Sequence, residues 1–279
     1  MCCFSPVTAP ASLLSWLFRR VAGPAVRVSG TRIFARMDGD HQALVYSMTL
    51  SVPGDVAMVL PLPITPGAGE DALQFVDLHD YDAFFDDMER CFLMLETAAP
   101  KRGGLLPALG GLPRLKVHAV GSFEASFVPG LRDFSRLDPR FRLGDDVWRQ
   151  LPAYEDYGFA VFKLAKGRKA RIHPMAFRFP TRAPDALFFP TVHVHDGAVH
   201  RIAEFDHRLF YQGADPDYSL QGASRSERSI MSAGACMTLD RAKGLVVDAP
   251  LSSVTARGEL ENVDTWIPIG KGGPQRASA

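Results

Sequence analysis

Thr31-Arg-Ile-Phe-Ala-Arg-Met-Asp-Gly-Asp-His-Gln-Ala-Leu-Val-Tyr-Ser-Met-Thr-Leu50 is the stretch on which the fold reading turns. Two β-type runs, Thr31–Met37 and Gln42–Leu50, flank Asp38-Gly39-Asp40-His41. An Asp-Gly step between such runs is a tight hairpin turn, because glycine adopts the positive φ that the turn demands. The first unit is therefore antiparallel and local.

Working outward, the same chemistry recurs. Asp55–Leu60 is a short apolar run closed by Pro61 and Pro63. Leu115–Phe127 reads as a strand interrupted by Gly121. Gly158–Leu164 leads through Lys166-Gly167-Arg168 into Lys169–Phe179, and Leu187–His195 leads through Asp196-Gly197 into Ala198–Phe205. One helix stands out. Asp77 is its expected N-cap, and Leu78, Tyr81, Phe84, Phe85, Met88, Cys91, Phe92 and Leu95 repeat at three and four on one face. Asp80, Asp82, Asp86, Asp87 and Glu89 mostly fall on the other, as a solvated face. Ser224–Ser232 is a further helix candidate, and Gly244–Val247 a late strand.

Strands do not alternate with helices, so a doubly wound parallel sheet is disfavoured. The expected class is α+β: a β-rich antiparallel sheet or sandwich built from hairpins, with a few peripheral helices. Residues 1–24 read as an N-terminal arm or docking helix, with Leu13, Leu14, Trp16, Leu17 and Phe18 as its apolar contacts. Residues 25–269 read as one domain and 270–279 as a mobile tail. Segments 31–64 and 157–195 echo each other as strand, turn, strand and proline-stopped run, the pattern of a duplicated β-unit.

The 279 residues suffice for a large core. Lys+Arg and Asp+Glu are 31 each, with 47% hydrophobic and 22% charged residues. Zero net charge excludes the basic footprint of a nucleic-acid binder. No run is long enough to span a membrane. The four cysteines, Cys2, Cys3, Cys91 and Cys236, form no C-x-x-C pair and no disulfide framework. A reducing, cytoplasmic setting is the expectation. Cys91 and Cys236 read as packing thiols.

The concentrated chemical feature is histidine. Five of eight fall at 173, 193, 195, 200 and 207. If Asp196-Gly197 closes a two-residue hairpin, His193 pairs with His200, and alternation places His195 on the same face. Three imidazoles would then converge on one ion, suiting zinc, iron or copper with open positions for water or substrate. Asp206, His207 and His173 are outer candidates. The His193-Val-His195 step resembles the start of a cupin metal motif, yet the glutamate and later histidine of that family are missing. It also resembles the opening of metal-dependent amidohydrolases, but too little chain follows for their barrel.

Three functions follow as expectations. The first is a metal-dependent enzyme, hydrolytic or oxidative, centred on His193, His195 and His200 and acting on a small-molecule or peptide substrate. The second is a hydrolase using Cys2 as nucleophile once Met1 is removed, with His193 or His200 as base. The third is a non-catalytic β-rich binding or assembly protein, in which Phe188, Phe189 and Trp266 would be exposed contacts.

Overall fold

A computed structural model describes residues 2–6, 26–52, 56–93, 117–120, 123–137, 145–164, 167–194, 198–220 and 224–270. The expected arm, tail and Asp196-Gly197 turn lie outside the described residues, apart from 2–6 and 270. The strands in chain order are β1 (Cys2–Pro6), β2 (Arg27–Asp38), β3 (His41–Val52), β4 (Val56–Leu62), β5 (Gln74–Val76), β6 (Val117–Val120), β7 (Phe123–Val128), β8 (Gly158–Leu164) and β9 (Gly167–Arg171). They continue with β10 (Met175–Pro180), β11 (Ala186–Phe189), β12 (His193–Val194), β13 (Ile202–Gln212), β14 (Glu227–Ser232), β15 (Pro250–Glu261) and β16 (Thr265–Pro268). Three short helices are α1 (Phe84–Arg90), α2 (Asp145–Arg149) and α3 (Ala233–Cys236). The protein is β-rich with few helices, in keeping with an α+β class.

The Asp38–His41 hairpin forms as expected. Asp38 pairs with His41, and Gly39 takes φ 67° in the two-residue loop. From it grows an eight-stranded sheet in the order β14-β15-β13-β2-β3-β10-β5, with β9 also pairing β3. A six-stranded sheet runs β12-β1-β4-β8-β7-β6. The purely antiparallel expectation is corrected at two places, because β2 pairs parallel to β13 and β1 parallel to β12.

The largest core cluster draws on both sheets. Ile33, Leu44, Tyr46, Phe177, Leu209 and Tyr211 come from the larger one, and Met58, Leu60, Phe127 and Phe162 from the smaller. The outward faces are covered too. Ala57, Val59, Phe159 and Val161 pack under Trp148, Phe134 and Tyr154. Phe34, Val45 and Phe210 pack under Phe84, Phe85 and Met88 of α1. Strands buried on both sides lose the alternating polar pattern, which is why β4 is buried at all seven positions.

Two expected elements change for clear reasons. The long helix from Asp77 shrinks to Phe84–Arg90, because Asp77 instead closes a local turn, its Oδ1 accepting from the His79 N–H at 2.9 Å. Asp87 leaves the solvated face altogether: it is buried, accepts from Tyr81 Oη at 2.8 Å and pairs with Arg90 at 2.6 Å. The expected helix at Ser224–Ser232 is the edge strand β14, and Gly244–Val247 is turn, the late strand being β15 instead.

Candidate functional site

Among the described residues, the histidine segment forms no hairpin ladder. Pro190 follows β11, which pairs with β16, whereas β12 joins the six-stranded sheet beside β1. The chain then crosses to the eight-stranded sheet, where β13 pairs ten residues with β15 and six with β2. Those ladders bury Phe205, Leu209, Phe210 and Tyr211. At about 1.5–3 kcal/mol per large apolar side chain, that burial outweighs a local turn. The strands expected to pair His193 with His200 thus belong to different sheets.

The described histidines scatter accordingly. His193 Nε2 lies 2.9 Å from His207 Nε2, and its ring stacks on Phe205 at 4.5 Å between centroids. One nitrogen donates and the other accepts. His200 is exposed, and its backbone carbonyl accepts from Asn262 Nδ2 at 2.8 Å. His195 lies outside the described residues. Among the described residues, no group of three His, Cys, Asp or Glu side chains is placed to hold a metal ion. This corrects the reading of a metal-dependent enzyme with a three-histidine centre on a β-hairpin. Among the described residues β12 and β13 pair in different sheets, and the 2.9 Å contact is that of a hydrogen bond between rings rather than two ligands splayed around an ion.

What holds this segment is a clamp that the sequence reading overlooked. Asn262 Oδ1 accepts the His193 N–H at 2.7 Å, and its Nδ2 also donates to the His193 carbonyl at 2.9 Å. Asp264 accepts the N–H groups of Thr191 and Val192 at 2.8 and 3.1 Å and the Tyr154 hydroxyl at 2.6 Å. Asn262-Val-Asp264 between two strands was the available signal. Cys2 sits in β1, its Cα paired with His193 on one side strand, while Cys3 pairs with Val59 on the other. Phe188 and Phe189 are fully buried rather than exposed, and Trp266 packs against Phe188 at 4.7 Å.

A charged concave feature lies elsewhere, on the outward face of the eight-stranded sheet. A cavity of 640 Å³ is lined by Arg32, Asp86, Glu89, Asp206, Arg208, Glu227 and Arg257, among others. β2 supplies Arg32, β13 supplies Asp206 and Arg208, β15 supplies Arg257, and α1 forms the wall carrying Asp86 and Glu89. The charges are cross-linked. Arg32 reaches Asp86 at 2.8 Å and Glu89 at 3.6 Å, Arg208 reaches Glu227 at 2.6 Å, and Arg257 reaches Asp206 at 3.3 Å. Asp206 also accepts the Gly30 N–H at 2.8 Å. Beneath the charges lie aromatic rings: Arg32 stands 5.1 Å from the Phe85 centroid, and Arg208 stands 5.1 and 5.0 Å from Phe92 and Phe210.

Burial orders these charges. The Arg32 and Arg208 side chains are recessed, at 14% and 29% exposure, whereas Asp86, Asp206 and Glu227 stand at 46%, 45% and 58%. The groove therefore presents carboxylates outward over a guanidinium floor, with Arg257 as an exposed cation at its end. Two exposed apolar residues lie on or next to elements that line it, Ile230 on β14 and Leu93 just past α1. They are neighbours through Cys91, whose carbonyl accepts the Ile230 N–H at 3.0 Å.

No protein-family model matches the chain, and no curated protein does. Among solved structures, that of baculovirus P35 is similar to 88% of this chain and 97% of that one, at 11% identity and a TM-score of 0.42. A caspase-8/P35 complex matches at 10% identity and a TM-score of 0.44, covering 87% of this chain and 97% of that one. Among the described residues, no helix is long and apolar enough to cross a membrane.

Proposed function

We propose that the protein is a non-catalytic β-rich module that binds another polypeptide in the groove between α1, β13 and β14. The bound segment carries basic side chains next to an apolar one. The observation that carries this reading is the layering of charge: three carboxylates face outward, while two arginines are held beneath them on aromatic rings. Exposed ion pairs of this kind are individually worth about 0–1 kcal/mol, so a partner's Lys or Arg can take over a carboxylate at little cost. Complementary charge then sets the register and speeds encounter, and Ile230 with Leu93 supplies an apolar contact at the flank of the groove.

The test is selection of binders from a random peptide library on the immobilised protein. Enriched sequences should combine Lys or Arg with a large apolar residue, and their binding should weaken as salt is raised. Glu227→Arg should reduce affinity at least about tenfold, equivalent to about 1.4 kcal/mol. Enrichment of acidic sequences, or binding indifferent to Glu227→Arg and Asp86→Arg, would sink the reading.

A further inference from the structure

Cys91 and Cys236 lie far apart in the sequence but meet beside the groove. Cys91 directly follows α1 and is fully buried; Cys236 ends α3 and is half-buried. Both side chains belong to the apolar cluster under α1, and Cys91 Sγ faces the carbonyl of Ser232, the N-cap of the α3 helix that Cys236 ends. The surroundings hold both in place. Cys91 Sγ donates towards the Asp87 and Ser232 carbonyls at 3.7 and 3.9 Å, and Cys236 Sγ contacts Met231 Sδ at 3.9 Å. Arg90 bridges the same two elements, with Nη2 on the Asp87 carboxylate at 2.6 Å and on the Cys236 carbonyl at 3.3 Å. The Cys91 carbonyl accepts the N–H groups of both Ile230 and Met231, so β14 is tied into the same junction.

We infer that this thiol pair is a redox modification site, closed to an intramolecular disulfide by a two-electron oxidant of the peroxide class. Cys236 is the entry point, because it is the thiol that solvent reaches. Its sulfur attacks one oxygen of hydrogen peroxide, breaking the O–O bond to leave a sulfenic acid and one water. Cys91 Sγ then attacks the Cys236 sulfur. The S–S bond forms, the S–O bond breaks, and the hydroxide leaves as a second water with the Cys91 proton. Both sulfurs are oxidised and one peroxide is reduced. The order of events follows from burial, which, with the neighbouring Cys236 thiol, pushes Cys91 up to about 12. The Cys91 thiolate is therefore rare, so Cys91 is not the sulfur oxidised first, and its attack on the Cys236 sulfenic acid is the slow step. The bond would fix α1, which carries Asp86 and Glu89, against α3 and β14. It thus sets the rigidity of the groove's acidic wall, whatever binds there.

The experiment uses the full chain with Cys2→Ser and Cys3→Ser, so that only this pair can react. After hydrogen peroxide treatment the intact mass should fall by two hydrogens, and a non-reducing digest should join the Cys91 and Cys236 peptides. The melting temperature should rise by about 5 °C or more and return with dithiothreitol, since a cross-link between such distant positions restricts the unfolded chain strongly. Cys236→Ala, at a half-buried position, should fold normally and abolish the mass loss. If the double serine background fails to fold, the same peptide mapping on the native chain decides. Oxygen added at Cys236 with Cys91 still a free thiol, or disulfides only between molecules, would overturn the inference.

Discussion

The outward face of the eight-stranded sheet has two halves built on the same strands. β2 places Arg32 and Phe34 on this face, two residues apart, and β13 places Arg208 and Phe210 there in register with them. One half is core: Phe34, Phe84, Phe85 and Phe210 are fully buried, with Phe84 meeting Phe34 and Phe85 edge-on, at 6.2 and 5.2 Å, and Phe85 tilted against Phe210 at 5.9 Å. The other half is the charged groove. The strands alone do not distinguish the halves; α1 does, by laying its aromatic side over one and its Asp86–Glu89 edge along the other. A single step of strand period thus separates a buried ring in the core from an arginine that holds an outward carboxylate.

Substitutions should grade accordingly. Phe84→Ala removes a fully buried ring that meets Phe34, Tyr81 and Phe85, and should cost about 3–5 kcal/mol in urea denaturation. A loss under about 1 kcal/mol would mean that α1 is not what makes this half a core. Asp87 stands at the border of the halves. Asp87→Ala leaves the buried Tyr81 hydroxyl without its acceptor, although that hydroxyl still accepts from the Thr238 N–H at 2.9 Å. The expected cost is about 1–3 kcal/mol, with Tyr81→Phe recovering part of it in a double-mutant cycle. Tyr81 itself is pushed up by burial and the Asp87 contact, so its hydroxyl remains a donor throughout the ordinary pH range. Arg257→Ala lies wholly in the charged half, and its melting temperature should match the parent's within a shift worth about 0.5 kcal/mol. A larger loss would show that the groove's charges hold the fold together rather than stand ready for a ligand.

Legibility followed locality. The Asp38–His41 hairpin was readable because its turn chemistry and its pairing lie within adjacent residues. β8 was readable as a strand opening at Gly158, whereas the apolar run expected to close at Pro61 continues as β4 through Pro61, paired with Phe159, to Leu62. The Leu187–Phe205 region carries the same Asp-Gly signal, but its strands found better partners far away in sequence, in β16, β1, β15 and β2. His207, rated as an outer candidate, is the ring that meets His193, while the favoured His200 stands exposed. The groove left almost no trace, because Arg32, Asp86, Arg208 and Glu227 come from four separate elements.

By itself, the sequence determined the β-rich class, the turns that local chemistry enforces, the balance of charge, and the helical apolar face around Phe84. Those properties depend on residues within a few positions of one another. Tertiary structure decided which strands pair, which histidines meet, why Asp87 is buried while Asp86 is not, and where a charged groove opens. Each of these is settled by competition for burial among distant segments. A local turn cannot prevail against ladders that bury several large side chains at once.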